Sequence, residues 1–263
     1  MSIHPTAVVD PGAEIADDVV IGPYCVIGRH ARIGRGTRLE SHVSVEQHTT
    51  IGEDCQVRQG AVLGGPPQDH KYRGERTFVQ IGNRNIIREF VTIHRATGEG
   101  EATRIGDDNM IMAYCHIGHN CWLGNGIMMA NSVGISGHCV IEDRVVFGGI
   151  VGLHQFVRIG KFAMIGGMSK VVRDVPPFMM ADGRPTQLVG LNVLGLRRSG
   201  MPPRVRAGLK QAFRLLYQSN LNLTQGIEAA YNEVEPSEER DYLLEFLTNI
   251  RHGYGGRQND RRG

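Results

Sequence analysis

An apolar residue returns at every sixth position from Ile3 to Val171, and the phase never slips. The series includes Ile21, Ile27 and Ile33, then Ile105, Ile111 and Ile117, and it closes on Ile159, Ile165 and Val171. Of its 29 slots, 26 are apolar. The three misses, Asp69, Glu75 and Glu99, fall in two polar stretches and so mark inserted loops. A period of six fits neither a 3.6-residue helix nor a two-residue alternation. It fits a short strand plus a turn, the repeat of a parallel β-helix with roughly 18 residues per three-sided coil. The pattern does not determine the hand of the coil.

Side chains two apart in a strand share a face. The positions two before each slot therefore also point inward. They hold mostly small or branched residues, and all five cysteines (Cys25, Cys55, Cys115, Cys121, Cys139). That makes the thiols corner fillers. An odd count argues against a disulfide framework, and the lack of a CxxC pair argues against zinc. Asn85 and Asn109 are the polar exceptions and require interior hydrogen-bond partners.

The repeat ends at Asp174-Val175-Pro176-Pro177, where prolines cannot donate to a continuing ladder. Beyond it, Val205, Leu209, Ala212, Phe213 and Leu216 recur at helical spacing, as do Leu243, Phe246, Leu247 and Ile250. Pro202-Pro203 and Pro236-Ser237 precede these runs as start signals. The expected organisation is an all-β solenoid over 1–177 with loops at about 64–80 and 95–104. A C-terminal α-helical domain over 178–252 would cover its open end, and 253–263 would be a disordered tail. The net charge of +2 argues against a nucleic-acid partner. Apolar runs are too short for a membrane span and no targeting segment is visible, so the expected location is cytoplasmic.

Histidine supplies the chemistry. Five fall between His94 and His154: His94, His116, His119, His138 and His154. With 18 residues per coil, His119 stacks over Gly137, Gly137 over Gln155, and Asn120 over His138. His116 lies over Gly134 and Gly152, which leave space beside it. An imidazole is the usual general base near neutral pH. A glycine beside it leaves a backbone N–H approachable as an oxyanion donor. The pair suits acyl transfer to a hydroxyl without a serine or cysteine nucleophile. In the first loop Gln68, Asp69, Lys71 and Arg73 offer acceptors and cations for a sugar and its phosphates.

Several motifs occur together here: the hexads, Gln68-Asp-His-Lys-Tyr-Arg-Gly-Glu75, Thr92-Ile-His-Arg95, His116-Ile-Gly-His119, Gly137-His138, His154-Gln155-Phe156 and Asp174-Val-Pro-Pro177. In this order they resemble the acyl-carrier-protein–UDP-N-acetylglucosamine O-acyltransferase family. The resemblance runs on through Gly190-Leu-Asn-Val193 and Gly195-Leu-Arg-Arg198. It implies a left-handed β-helix and a homotrimer with active sites between subunits. It implies transfer of an (R)-3-hydroxyacyl group from acyl carrier protein to the 3-hydroxyl of UDP-N-acetylglucosamine, the first step of lipid A synthesis. The phosphopantetheine arm of the carrier would bring the acyl group, with no metal or other cofactor. His119 matches the general base and Gly137 the oxyanion donor, with Asn120 beside the base. Gln68, Asp69, Lys71, His94, His116, His138 and Gln155 match positions that hold the sugar nucleotide. His154, Asn192 and Arg198 match positions around the nucleotide or carrier arm, and Gly167 and Met168 the end of the acyl groove. Arg197, Arg198, Arg204 and Arg206 form a basic cluster suited to an acidic carrier.

Two positions depart from the family pattern. Asn120 stands where aspartate commonly follows the base, and Leu194 where an acidic residue often contacts the ribose. Other readings remain open at this point. The acceptor could be a 3-amino UDP-sugar. A γ-type carbonic anhydrase needs two zinc histidines five apart, whereas His116 and His119 are three apart. The later N-acyltransferase of the pathway carries a further domain before its hexads. A non-catalytic scaffold is the reading in which Asn120 marks lost activity.

Overall fold

The structure is a computed structural model and describes residues 2–252; the expectation for 253–263 lies outside the described residues. The hexads form short parallel strands in three sheets, stacked as a left-handed β-helix. Register follows the eighteen-residue coil, with Ile3 opposite Ile21, Ile27 opposite Val45 and Ile33 opposite Ile51. Across the first loop the offset widens to thirty, Val57 opposite Ile87. Across the second it is twenty-four, Ile87 opposite Ile111. The insertions thus add twelve and six residues, which is why the phase survives them. They occupy 66–77, between Val62–Gly65 and Phe78–Ile81, and 95–101, between Thr92–His94 and Ala102–Ile105.

From Ile21 to Val171 every apolar slot residue is buried. Each contributes roughly 1.5–3 kcal/mol of burial. Only the first coil, with Ile3 exposed, leaves its slot open. Corners turn through residues with φ near +60°, among them Tyr24, His42, Asn120, His138 and Phe156. Side chains at successive corners then stack, as Phe90 does on Tyr114 at 5.4 Å.

The second inward column does more than fill space. Cys25, Cys115, Cys121 and Cys139 each donate a thiol hydrogen to a carbonyl fifteen residues on, Glu40, Ala130, Ser136 and His154 respectively. All five cysteines are free and buried. Asn85 Nδ2 donates to Gly106 O at 2.8 Å and its Oδ1 accepts from Asn109 N at 2.9 Å. Asn109 repeats the move with Gly124 O and Ile127 N. The oxygen and the nitrogen of both interior side-chain amides therefore each find a partner along the axis.

Past the prolines, residues 179–191 differ from the helical expectation. Met179–Gly183 adds to the sheet edge at Met164–Ile165 and pairs antiparallel with Thr186–Leu191. Met179 and Ala181 alternate with exposed Met180 and are both buried; Ala181 joins the solenoid core, and Met179 with neighbouring Phe178 joins the core of the helices, across a register shift between Met180 and Ala181. Among the described residues four helices follow: α1 (Val193–Arg198), α2 (Pro203–Tyr217), α3 (Leu223–Glu233) and α4 (Glu238–His252). Helix α3 was not legible as a periodic run; an Asn222–Gln225 capping box starts it. Leu209, Ala212, Phe213 and Leu216 of α2 pack with Leu243, Leu244 and Leu247 of α4. One buried carboxylate, Glu142, joins the two parts. It accepts from Arg158 at 3.2 Å, from Lys161 N at 2.8 Å and from Tyr242 Oη of α4 at 2.6 Å. Among the described residues, no helix is long and apolar enough to cross a membrane.

Candidate active site

His116 follows the pleat: Ile117 points inward, so the histidine points out. Its cross-strand neighbour in the preceding coil, Thr92, places Oγ1 2.8 Å from His116 Nδ1. Gly134 and Gly152 take the same place in the following coils. A Cβ built on either meets nothing within 4 Å, so a trough opens beside the imidazole. His94 is buried at the end of Thr92–His94, edge-on to His116 at 4.7 Å. Its Nδ1 has no hydrogen-bond partner among the described residues. Burial, then the His116 and His119 charges, lower its pKa to about 4. Burial and His119 push His116 down as well.

His119 stands at the next corner. Its Nδ1 lies 2.9 Å from Asn120 Oδ1. Its other nitrogen presses on Gly137: a Cβ there would lie 2.6 Å from Nε2 and 2.7 Å from Cε1. Close approach, not backbone conformation, demands glycine here, since Gly137 is not a positive-φ residue. Among the described residues, Gly137 N–H reaches no acceptor. His138 meets His119 edge-on at 5.1 Å and stacks on Phe156 at 4.8 Å. Burial, then the His119 charge, lower the His138 pKa, and Asp69 and Glu101 oppose them. Asp69 accepts from the Lys71 backbone N–H at 2.9 Å, which holds its carboxyl below the usual range.

Gln68, His94, His116, His119, Gly137 and Gln155 line one cleft of about 400 Å³. A second, of about 500 Å³, shares Ser136, Gly152, Leu153 and Gln155 with it and adds His154 and Lys170. Asp69, Lys71 and His138 flank the first cleft through their charges on one another. Asn120 lines neither cleft but bonds to His119, and four further expected residues line neither. Asn192 has its amide committed, with Oδ1 capping α1 at Gly195 N and Nδ2 donating to Phe162 O. Arg198 is exposed on α1, and Gly167 and Met168 sit at an exposed corner. Within the basic cluster, Arg204 is paired with Glu235 and Arg206 donates to Met201 O, which leaves Arg197 and Arg198 exposed. Leu194 is exposed too. Among the described residues, no group of three or more His, Cys, Asp or Glu could hold a metal ion.

The sequence reading missed Thr92, Thr97, Thr103, Ser136 and Lys170. Thr97 and Thr103 both bond to Asn120. Ser136 and Lys170 were legible in principle, since Ser136 lies eighteen residues before His154 and Lys170 eighteen after Gly152.

Comparison with known proteins fits this geometry. Residues 174–254 match a family described as "Udp N-acetylglucosamine O-acyltransferase; Domain 2". Residues 1–34 and 102–137 match the "Bacterial transferase hexapeptide (six repeats)" family. The acyl-[acyl-carrier-protein]–UDP-N-acetylglucosamine O-acyltransferase of Anaeromyxobacter dehalogenans is 46% identical over 254 residues, covering 96% of this chain and 99% of the relative. The enzyme of the same name from Verminephrobacter eiseniae is 51% identical over 229 residues, 87% of each chain. Among solved structures, UDP-N-acetylglucosamine O-acyltransferase from Moraxella catarrhalis superposes with a TM-score of 0.90 at 42% identity, covering 95% of this chain and 97% of the other. The Arabidopsis UDP-N-acetylglucosamine acyltransferase gives 0.86 at 36% identity over 99% of each. The chain belongs to the acyl-[acyl-carrier-protein]–UDP-N-acetylglucosamine O-acyltransferase family.

Proposed function

We propose that this chain transfers an (R)-3-hydroxyacyl group from the phosphopantetheine thioester of acyl carrier protein to the 3-hydroxyl of UDP-N-acetylglucosamine, the first step of lipid A synthesis. The observation that carries the reading is His119 packed onto Gly137 at the floor of a cleft that also holds Gln68, His116 and Gln155. His119 Nε2 takes the proton of the sugar 3-hydroxyl as that oxygen attacks the thioester carbon. The carbonyl electrons move onto oxygen, where Gly137 N–H donates to the developing charge. Collapse of the tetrahedral intermediate breaks the C–S bond, and the imidazolium returns its proton to the departing sulfur. Asn120 Oδ1 accepts from His119 Nδ1–H and keeps Nε2 free to act as the base.

His94, His116 and His138, each held toward its neutral form, offer hydrogen bonds to the sugar without adding repulsion to an imidazolium. Gln68, Asp69, Lys71, Gln155 and His154 hold the sugar nucleotide. The working unit is a homotrimer. In that assembly a neighbouring subunit completes the cleft, and Asn192, Arg198, Gly167 and Met168 take their places around the nucleotide, carrier arm and acyl chain. The helical part, 193–252, presents Arg197 and Arg198 to the acidic carrier, in the cytoplasm.

The test is incubation with UDP-N-acetylglucosamine and a mixed pool of 3-hydroxyacyl carrier proteins, with products identified by mass spectrometry. One O-acylated sugar is expected. General-base catalysis contributes about 10²–10⁴-fold, so His119→Ala should lose at least about 10²-fold in kcat. Near-normal turnover in that variant refutes the assignment. Product only with the 3-amino analogue would keep the mechanism and change the acceptor.

A further inference from the structure

The corner at Asn120 carries a contact that the reaction scheme above does not require. The backbone there has φ of +58°, a conformation that Asn and Asp both tolerate. Backbone shape therefore does not choose between them, and the surroundings do. Thr97, in the second inserted loop, donates its N–H to Asn120 Oδ1 at 2.9 Å. Asn120 Nδ2 donates back to Thr97 O at 3.0 Å. The Thr97 hydroxyl adds a third bond to Oδ1 at 3.0 Å. This is a two-way pairing of a side-chain amide with a backbone residue.

Such a pairing admits one orientation of the amide. Flipped, the NH₂ group would face the Thr97 N–H and the oxygen would face the Thr97 carbonyl. With the amide so fixed, it is the oxygen that stands 2.9 Å from His119 Nδ1. An acceptor at that point puts the ring proton on Nδ1 and leaves the Nε2 lone pair over Gly137. The loop is held in turn. Arg95, two residues earlier and buried, donates to Gly64 O and to Tyr72 Oη, both at 3.2 Å. Arg76 N donates to Glu99 Oε2 at 3.1 Å. The 95–101 loop thus bridges the corner of the base and the 66–77 loop that carries Gln68, Asp69 and Lys71.

We propose that Thr97 is a positioning residue, whose peptide group selects an amide at position 120 and through it fixes which nitrogen of His119 works as the base. The proposal rests on the assignment of His119 as base. It makes Asn120 a matched partner of this loop rather than a weakened aspartate. An aspartate at 120 could still accept from Thr97 N–H and His119 Nδ1–H. Its second oxygen, however, would stand where Nδ2 does, 3.0 Å from the Thr97 carbonyl, with nothing to donate.

The test compares the full-length protein with Asn120→Asp and Thr97→Val. The readouts are kcat/KM against pH, with UDP-N-acetylglucosamine and (R)-3-hydroxyacyl carrier protein, and hydrogen–deuterium exchange across 95–101. In Asn120→Asp the exchange should speed at least about tenfold, because a hydrogen bond is replaced by a repulsion. The acid limb of the rate profile should move up by about half a pH unit or more, since a carboxylate on Nδ1–H favours the imidazolium. The other charges facing His119 are unchanged in that variant: His94 and His116 on the cleft wall, His138 at the next corner, Asp69 and Lys71 of the first loop, and Glu101 near His138. Thr97→Val removes the hydroxyl bond but keeps both hydrogen bonds between the peptide groups of residue 97 and the Asn120 amide, so loop exchange should stay within about threefold of the parent and the acid limb should not move.

Unaltered loop exchange in Asn120→Asp overturns the pairing. An unmoved acid limb overturns the link from position 120 to the base. A Thr97→Val effect as large as that of Asn120→Asp assigns the role to the hydroxyl and overturns the peptide pairing. Failure of the base assignment looks different: His119→Ala would keep its turnover while loop exchange in Asn120→Asp still rose.

Discussion

Gly137→Ala isolates the position of the base from the stability of the fold. The backbone at Gly137 lies outside the left-handed region, so alanine brings no conformational strain. Alanine also narrows the unfolded ensemble, which favours folding by about 0.4–1 kcal/mol. The methyl group would meet His119 Nε2 at 2.6 Å and Cε1 at 2.7 Å, where ordinary contact begins at 3.4 Å. The ring must move back by nearly 1 Å. It cannot slide freely, because Nδ1 is tied to Asn120 Oδ1 at 2.9 Å and His138 stands edge-on to it at 5.1 Å. A misplacement of that size costs about 10²-fold in rate, or about 2.7 kcal/mol of barrier. The expected result is a folded protein with a melting temperature near the parent's and kcat about a hundredfold down. Steady-state kinetics beside thermal melts would measure both. A variant with parental melting and kcat within threefold would show that catalysis does not depend on where Gly137 holds this ring.

Two further perturbations address stability. Glu142→Leu strands Arg158 and Lys161 N at a buried site, so urea unfolding should show a loss of about 3–5 kcal/mol; Tyr242→Phe, which removes only the hydroxyl bond to Glu142, should cost about 1.5–3 kcal/mol. Equal costs for the two would remove the carboxylate from its place as the hub. Acidification tests His94. Its pKa falls from 6.5 to about 4 on folding, so below pH 6.5 the unfolded chain takes up a proton that the folded chain refuses. Stability should fall as pH drops from 6.5 toward 4, by up to about 3 kcal/mol from this residue at 1.36 kcal/mol per unit. His116 and His138 are lowered in the same sense and add to the slope. Urea midpoints across this range should flatten in His94→Asn; an unchanged slope would show that the proton goes elsewhere.

The solenoid was readable because one physical requirement, an apolar side chain at a fixed point of every coil, repeats without exception outside the loops. The inward Asn85 and Asn109 were readable for the same reason, and so was the need to satisfy them. The stacking of His119 on Gly137 follows from a count of eighteen, which holds there because no insertion lies between them. Residues 179–191 were misread because the hexad signal stops at Pro176-Pro177 while the sheet does not. A two-residue alternation over Met179 to Ala181 is too short to register beside a longer helical pattern.

The threonines that brace the site histidines and Asn120 were obscured by the way the loops preserve phase. A loop that leaves a coil and rejoins it could have any length, since only the strands must align. Here the insertions are twelve and six residues, so the apolar count gives no sign that stacking has shifted. An offset of eighteen applied at His116 points back to Gly98, in a loop, whereas its true neighbour is Thr92, 24 residues away. The three polar slots held the correction: two misses lengthen one coil by two hexads, and one miss lengthens the next by one. Counting them recovers Thr92 as the partner of His116. It does not recover Thr97, whose place is set by the loop's own path and by bonds to Asn120, with no period to announce it. Periodicity therefore locates the groups held by the coil, and the residues that orient them are the ones that have left it.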